Sequence, residues 1–432
     1  MRGATCWGIL ALTMALWPAD NVRAQGVDRA VAVKQLIPRI EQNLRETIIR
    51  FWFPRSIDRE AGGYNVHFGP AGEPIPGRSK AIVTQARTLW LASRLLRSRF
   101  AEPGHREAAD HGFRFLRDVM WDREHGGFFW ELDASAQKVL RPDKHLYGQA
   151  FAIYALAEYY LATGRDEALD LAMRAFRLID VRAHDPVNGG YREFFARDWS
   201  AAAATENGYL GVPPDLKLMN THLHLMEAFT VLLRASASPV VRERLIELVA
   251  IETHAVVRPG WVANTDPHRA DWTPVLDGDA ARVSYGHDLE NIWLVADALE
   301  ALNQPVAPYV GLFRAIFTYS RTHGYDEANG GFFDSGPQGK PADRRRKVWW
   351  VQAEALVSAL TMHQLTKDPA YLDVFERTWQ FVDTTQTDWK HGEWHDTILP
   401  DGQPRAGDKG HGWKAGYHNG RALIEILERL DR

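Results

Sequence analysis

Three polar side chains recur at helical spacing in one apolar stretch, residues 217–235. Asn220, His224 and Glu227 are separated by four and three positions, which places them on one stripe of a helix otherwise rich in Leu, Met and Phe. An imidazole accepts and donates a proton near neutral pH. The stripe therefore predicts acid/base chemistry on a ligand at one helix face.

Other apolar stretches begin with comparable side chains. The candidates at these positions are Arg87, Tyr147, His287, Glu290, Trp293, Trp350, Glu354, Trp413 and His418. One buried histidine alone is more often a core residue with a hydrogen-bond partner. Polar groups at the beginnings of six helices would be costly to bury without a ligand. The set predicts a single site for a neutral polyol, with Trp rings that stack on it.

Several other kinds of chemistry lack their sequence signals. His222 and His224 are two positions apart and cannot share a helix face, and no HExxH motif or Cys/His cluster is present. A GxSxG nucleophile motif is absent as well. The formal net charge of −4 argues against a nucleic-acid partner. We therefore predict a small carbohydrate as the partner and no metal ion.

An internal repeat organises the chain. A Gly-Gly-aromatic motif occurs at Gly62–Gly63, Gly126–Gly127, Gly189–Gly190 and Gly330–Gly331, with weaker copies at Gly260 and Gly392. Six copies at steps of 62 to 71 residues indicate a repeat architecture. Glycine provides the backbone freedom for a sharp turn, and no GxxxxGK[ST] pattern marks a phosphate loop.

Apolar residues at the helical period predict twelve helices, two per repeat. The predicted helices are 28–52, 80–99, 105–121, 145–163, 165–181, 217–235, 237–254, 286–302, 305–322, 347–365, 368–385 and 415–430. Six helical hairpins that close on themselves make an (α/α)6 barrel. The long links, with small β-hairpins, lie at one rim, where the even-numbered inner helices begin and the candidate residues meet.

The first 24 residues read as a secretory signal. A basic start is followed by a short apolar run and by Val22-Arg23-Ala24, which predicts cleavage after Ala24. The apolar run is too short for a stable membrane anchor. Cys6, the one cysteine, lies inside this segment. We expect a single catalytic domain over 25–432 in a periplasmic or secreted protein, as a monomer or weak homodimer.

Four long motifs carry a resemblance to a known family. They are NTHLHLMEAFT (220–230), YGHDLENIW (285–293), WWVQAE (349–354) and GWKAGYHNGR (412–421). They resemble the N-acylglucosamine 2-epimerase family, in its cellobiose 2-epimerase branch, from about residue 30 to the C-terminus. The resemblance implies an (α/α)6 barrel that inverts C2 at the reducing end of β-1,4-linked disaccharides without metal or cofactor.

The resemblance also implies roles for the candidate residues. His287 and His418 match the general acid/base pair, His224 a third histidine at the same sugar, and Arg87 the arginine of the site. The residues that match substrate contacts are Tyr147, Asn220, Glu290, Trp293, Trp350, Glu354 and Trp413. Asn291 and Ile292 depart from the small residues usual in the family and bear on the natural substrate.

Three alternatives to a 2-epimerase remain open from the sequence. An aldose–ketose isomerase shares the fold and the enediolate. A glycoside hydrolase needs two opposed carboxylates, for which Glu290, Glu354 and Asp396 are the candidates. A sugar-binding protein needs no histidine pair.

Overall fold

The structure is a computed structural model, and it describes residues 29–431 apart from 30, 204–207, 259 and 261. The predicted signal segment, 1–24, lies outside the described residues, so its cleavage stays a prediction. None of the described helices is both long and apolar enough to cross a membrane.

Twelve long helices make up most of the described chain, as predicted. In chain order they are α1 (Ile37–Asn43, continued by Leu44–Ile49 and Arg50–Trp52), α2 (Ile82–Leu96), α3 (Pro103–Phe115, continued by Leu116–Met120), α4 (Leu146–Thr163), α5 (Asp166–Arg182), α6 (Met219–Ser236), α7 (Pro239–Ala250, continued by Ile251–Ala255), α8 (Tyr285–Ala301), α9 (Val310–Gly324), α10 (Trp349–Thr366), α11 (Ala370–Phe381, continued by Val382–Gln386) and α12 (His418–Asp431). The odd-numbered helices are outer and the even-numbered helices are inner. The predicted (α/α)6 barrel is confirmed.

Burial separates the two sets of helices. In α4, every residue from Leu146 to Tyr159 is buried, so this helix has no solvent face. In α5, the buried residues recur every three or four positions, and the remainder of the helix faces solvent. A helix that is apolar all round belongs inside, and an amphipathic one belongs at the surface. The sequence thereby determines which layer each helix joins.

The ring of inner helices closes between α12 and α2. Arg94 of α2 donates to Glu428 of α12 at 2.6 Å. Gly420 of α12 lies against Leu91 of α2, and a Cβ on Gly420 would lie 2.8 Å from Leu91 Cδ1. The glycine therefore permits a close approach where the last helix meets the first.

In its four full copies, the Gly-Gly-aromatic motif is hydrogen-bonded to the inner helix that follows. Tyr64 N donates to Gln85 Oε1 at 2.7 Å, and Gln85 Nε2 donates to Tyr64 O at 2.8 Å. Gly63 has a φ of 67°, and a Cβ there would lie 2.5 Å from Gln85 Oε1. The same pair of bonds joins Gln149 to Phe128 and Gln352 to Phe332. The motif is therefore a structural joint, as its glycines predicted.

An Asp–Lys ion pair with a buried lysine is present in five of the six links. The pairs are Asp58–Lys80, Asp122–Lys144, Asp185–Lys217, Asp326–Lys347 and Asp388–Lys409, with N–O distances of 2.7 to 3.0 Å.

The fourth link departs from this pattern. Val257 bridges Asn264 as Ile57 bridges Tyr64, which puts Arg258 in the position of the aspartate and Val262 in that of the first glycine. Gly260 does lie in a turn, with a φ of 86°, but the register of the bridge shows that it is not the counterpart of the first glycine in the other links.

Short strands join neighbouring links into a belt. They are β1 (Lys80–Ala81), β2 (Glu131–Leu132), β3 (Val139–Arg141), β4 (Lys144–His145), β5 (Phe194–Phe195), β6 (Lys217–Leu218), β7 (Pro267–His268), β8 (Val283–Ser284), β9 (Ser335–Gly336), β10 (Lys347–Val348) and β11 (Thr397–Ile398). β2 and β3 form a local hairpin, as predicted for this segment. The pairs β1–β2, β4–β5, β6–β7, β8–β9 and β10–β11 join consecutive links. A bridge between Phe68 and Gly410 joins the first link to the last.

Candidate active site

A cavity of about 230 Å³ opens at the rim where the links meet. Its lining residues are Arg87, Tyr147, Leu210, Asn220, His224, His287, Glu290, Trp349, Trp350, Trp413 and His418. Every inner helix contributes to this lining from its first two turns. The barrel thus brings together side chains that are far apart in the chain, because all inner helices begin at the same rim.

Nine of the eleven predicted site residues line this cavity. The other two, Trp293 and Glu354, lie behind the wall, where Trp293 Nε1 donates to Glu354 Oε2 at 2.9 Å. Sequence reasoning missed Leu210 and Trp349. Trp349 stands beside Trp350 at the beginning of α10, a signal that could have identified it, whereas Leu210 lies in a long link with no periodic pattern.

His418 is oriented by a carboxylate. Its Nδ1 lies 2.7 Å from Glu354 Oε1, and burial together with Arg87 and Arg421 holds the pKa of His418 well below its usual value. Burial holds the pKa of Glu354 above its usual value, although Arg421 Nη2 donates to Oε1 at 2.8 Å and Trp293 donates to Oε2, and both hydrogen bonds favour the ionised form. An ionised Glu354 accepts the Nδ1 proton, which leaves the lone pair of His418 on Nε2.

His224 has the same arrangement with a different carboxylate. Its Nδ1 lies 2.9 Å from Glu227 Oε2. Burial alone would raise the pKa of Glu227, but Arg421 and hydrogen bonds from His224 and Tyr417 outweigh it and lower the pKa to about 2. Glu227 is therefore ionised and accepts from the imidazole, so Nδ1 of His224 carries a proton and the neutral ring has its lone pair on Nε2.

His287 lacks such a carboxylate. Its Nδ1 is buried without a hydrogen-bond partner among the described residues, and burial, with a contribution from His224, lowers the pKa of His287 to about 3. Its ring centroid lies 4.8 Å from that of Trp350, and the ring of His418 lies 5.7 Å from the same indole. His287 and His418 therefore both pack against Trp350 at the cavity wall.

Glu290 differs from Glu227 in its electrostatic environment. Burial and the neighbouring charge of Glu354 raise the pKa of Glu290 to about 7. Arg421 Nη2 donates to its Oε1 at 2.6 Å, while Oε2 has no hydrogen-bond partner among the described residues. Carboxyl groups with pKa values driven apart take different roles. Glu290 can donate a proton or hydrogen bond to a ligand near neutral pH.

Arg87 places a fixed positive charge on the cavity wall. Its Nη2 donates to the Tyr147 hydroxyl and its Nη1 to the Trp413 carbonyl, both at 3.0 Å. The guanidinium lies 4.3 Å from the ring centroid of Phe151 and 4.9 Å from that of Tyr417. Burial raises the pKa of Tyr147 to about 12, so its hydroxyl stays protonated. Arg87 is therefore rigidly held and faces any oxyanion formed in the cavity.

Aromatic rings surround the cavity mouth. The side chain of Trp413 is 40% exposed, and its ring lies 6.1 Å from that of Trp130. Tyr209 stacks on Trp130 at 4.3 Å between centroids. An exposed indole beside stacked aromatic rings offers flat apolar surface to a sugar that extends out of the cavity.

Among the described residues, one trio of His and carboxylate groups is close enough to surround a cation. Glu290, Glu354 and His418 have ligand atoms within 4.8 Å of one another. Arg421 already donates to both carboxylates, so its guanidinium supplies the positive charge at that point. His222 lies apart from this trio and accepts from Tyr191 N at 2.8 Å, as expected for a structural histidine.

Known proteins resemble the chain over nearly its whole length. The sequence profile of the family described as N-acylglucosamine 2-epimerase matches residues 62–422. A cellobiose 2-epimerase of Dictyoglomus turgidum is 30% identical over 92% of this chain and 100% of its own. A D-mannose isomerase of Thermobifida fusca is 30% identical over 81% of this chain and 84% of its own. The solved structure of a cellobiose 2-epimerase from Spirochaeta thermophila is 35% identical, with a TM-score of 0.84 over 93% of this chain and 98% of its own. The chain therefore belongs to the N-acylglucosamine 2-epimerase family.

Proposed function

We propose that this protein inverts C2 of the reducing-end sugar in a β-1,4-linked disaccharide such as cellobiose. Its family makes it a carbohydrate epimerase. The observation that carries the proposal is that His224, His287 and His418 line one cavity with Arg87. This set can move protons at a carbon next to a carbonyl and can stabilise the oxyanion that results.

The reaction requires that the sugar ring first opens to the aldehyde. One of His287 and His418, as neutral imidazole, takes the C2 proton, and the electron pair moves into a cis-enediolate. Arg87 stabilises the charge on its oxygen. The other histidine returns a proton to the opposite face of C2, for which it must be protonated in the sugar complex, although burial keeps it neutral in the free protein. Each turnover exchanges the protonation states of the two imidazoles, so the reverse reaction begins from the state that the forward reaction leaves.

The aromatic mouth supports a disaccharide as the substrate. One sugar ring occupies the enclosed part of the cavity, between Trp350 and Arg87. The second ring extends toward Trp413, the exposed indole at the mouth. The name cellobiose 2-epimerase on several relatives of about 30% identity supports the same choice.

Aldose–ketose isomerisation is the second candidate. The observation in its favour is the likeness to a D-mannose isomerase at 30% identity. The two reactions share the enediolate and differ in whether the proton returns to C1 or to C2. The same cavity residues serve both, so the difference lies in how the intermediate sits between the imidazoles.

Proton exchange measured by NMR in D₂O tests the proposal. Protein is incubated with cellobiose, mannobiose, glucose and mannose in separate samples. Deuterium at C2 together with the epimeric sugar supports the epimerase. Accumulation of a ketose instead supports the isomerase, and an increase in reducing ends supports a hydrolase. A folded protein that leaves C2 protonated in all four sugars contradicts the proposal.

Substitution of the two histidines tests their roles. His287→Asn and His418→Asn should each lower turnover by about 10²- to 10⁴-fold, the usual contribution of a positioned acid or base. Sugar binding should persist, because Arg87 and the Trp rings remain. His254→Asn is the matched control, since His254 is exposed outside the cavity. Normal C2 exchange in both site variants would exclude the two histidines as the acid/base pair and make Glu290 and Glu354 the next candidates for that role.

We also propose that the protein is exported and acts in the periplasm or outside the cell. The support is the basic and apolar segment that ends at Ala24. N-terminal sequencing of native protein should begin near Gln25, and an intact residue 1 would contradict export. Sedimentation should find a monomer or a weak homodimer.

A further inference from the structure

Arg421 lies beneath the cavity and is bonded to three carboxylates. Its Nη2 donates to Glu290 Oε1 at 2.6 Å and to Glu354 Oε1 at 2.8 Å, and its Nη1 donates to Glu227 Oε1. The three glutamates come from α8, α10 and α6, whereas Arg421 comes from α12. The side chain of Arg421 is 2% exposed, so water screens these contacts little. One guanidinium therefore serves carboxylates from three separate helices.

Two of these carboxylates also hold an imidazole. Glu227 bonds Nδ1 of His224, and Glu354 bonds Nδ1 of His418. An ionised carboxylate can only accept a hydrogen bond, so the imidazole must then carry its proton on Nδ1. A protonated carboxyl group could donate to Nδ1 instead, and the ring proton would move to Nε2. In that form Nε2 cannot take a proton from a substrate.

The ionisation of these glutamates depends on a nearby positive charge. Three buried carboxylates close together would each favour the protonated form, through desolvation and mutual repulsion. The other donors to Glu227 and Glu354 include the Tyr417 hydroxyl, at 2.5 Å, and the Trp293 indole, at 2.9 Å, and both are neutral. Arg421 carries its charge at every accessible pH.

We propose that Arg421 is a positioning residue that holds Glu227 and Glu354 ionised and thereby fixes His224 and His418 in the same Nδ1–H tautomer. His287 is outside this arrangement, because its Nδ1 has no hydrogen-bond partner among the described residues. Arg421 therefore controls two of the three imidazoles at the cavity and leaves the third independent.

The tautomers can be read directly from long-range ¹H–¹⁵N spectra of protein labelled with ¹⁵N-histidine. The spectra of His224→Asn, His287→Asn and His418→Asn assign the three imidazoles. In the unsubstituted protein, His224 and His418 should both show Nδ1 protonated and Nε2 unprotonated. In Arg421→Met, the Nε2–H form should appear at one or both of these residues, while His287 keeps its pattern.

Arg94→Met provides the matched control. Arg94 is a largely buried arginine that bonds Glu428 at 2.6 Å and lines the same lower cavity as Arg421, of about 270 Å³. Its loss should leave all three tautomers unchanged. Unchanged Nδ1–H forms at His224 and His418 in a folded Arg421→Met protein would overturn the proposal. An Nε2–H form at either residue in the unsubstituted protein would overturn it as well, and that measurement needs no substitution of Arg421.

Arg421→Lys serves if the Met variant does not fold, because lysine retains the positive charge. Nδ1–H forms at both histidines in this variant support the proposal, and their loss in folded protein contradicts it.

The effect on turnover rests on the proposed function: Arg421→Met should lower kcat by about 10²-fold or more with a smaller change in KM, as for a displaced acid or base. A parent protein without C2 exchange would contradict the proposed function and leave the tautomer result standing.

Discussion

Substitution of Gly63 by alanine should destabilise the protein more than the same change at Gly164. Both glycines have a φ of 67°. An alanine in this region costs about 1–2 kcal/mol at either position. At Gly164 nothing lies within 4 Å of the added Cβ, so this backbone cost is the whole effect. At Gly63 the Cβ would lie 2.5 Å from Gln85 Oε1 and 2.7 Å from Phe115 Cδ1.

Neither neighbour of Gly63 can move freely. Gln85 holds both backbone groups of Tyr64, and Phe115 is buried in the core. Overpacking of this kind costs about 1–3 kcal/mol, so Gly63→Ala should lose about 2–5 kcal/mol in total. Urea unfolding followed by tryptophan fluorescence measures both variants against the parent. Equal losses in the two variants would refute the view that the joint with Gln85 excludes a side chain at Gly63.

Three further predictions concern binding, pH and metal. Trp413→Ala should raise KM for a disaccharide about 5- to 150-fold, the equivalent of about 1–3 kcal/mol of stacking, and should change KM for a monosaccharide much less in steady-state kinetics. Burial raises the pKa of Glu193 to about 8, so the folded state prefers the protonated form of this residue. The stability that the protonated form contributes is lost as pH rises from about 4, the pKa of an unfolded glutamate, through 8. Glu193→Gln should therefore gain about 2 kcal/mol or more in unfolding free energy relative to the parent between pH 5 and pH 8, and a constant difference would contradict the assignment. Activity should survive dialysis against EDTA, whereas loss of activity with recovery on addition of one particular metal would overturn a mechanism by histidines alone.

The helical period accounts for what could be predicted of the fold and the site. Because inner helices are apolar all round, stripes such as Asn220 with His224 stand out in their first turns, and the repeat places those turns at one rim. Register was harder to predict. Helix α12 begins at His418, three residues later than predicted, because the preceding turn is closed by a bridge between His411 and Lys414.

The sequence could not predict how deep in the barrel a side chain lies or which distant residues it contacts. Glu290 and Trp293 are three positions apart and share a face of α8. Glu290 lines the cavity, whereas Trp293, one helical turn deeper in the barrel, lies behind the cavity wall. The sequence shows Arg421 on the last helix. It gives no sign that this guanidinium reaches Glu227, 194 positions earlier in the chain. Such contacts depend on the closure of the whole barrel.

The belt of strand pairs around the mouth has a consequence for how new specificities can arise. Each link is hydrogen-bonded to the next, and the Phe68–Gly410 bridge joins the last link to the first. The links around the mouth therefore form a closed ring of backbone pairing. A loop transplanted alone from a relative would leave its neighbour's strand without a matching edge. Exchange of two adjacent links together keeps the shared pairing inside the graft. We expect substrate range in this protein to be redesigned most readily by units of two neighbouring links.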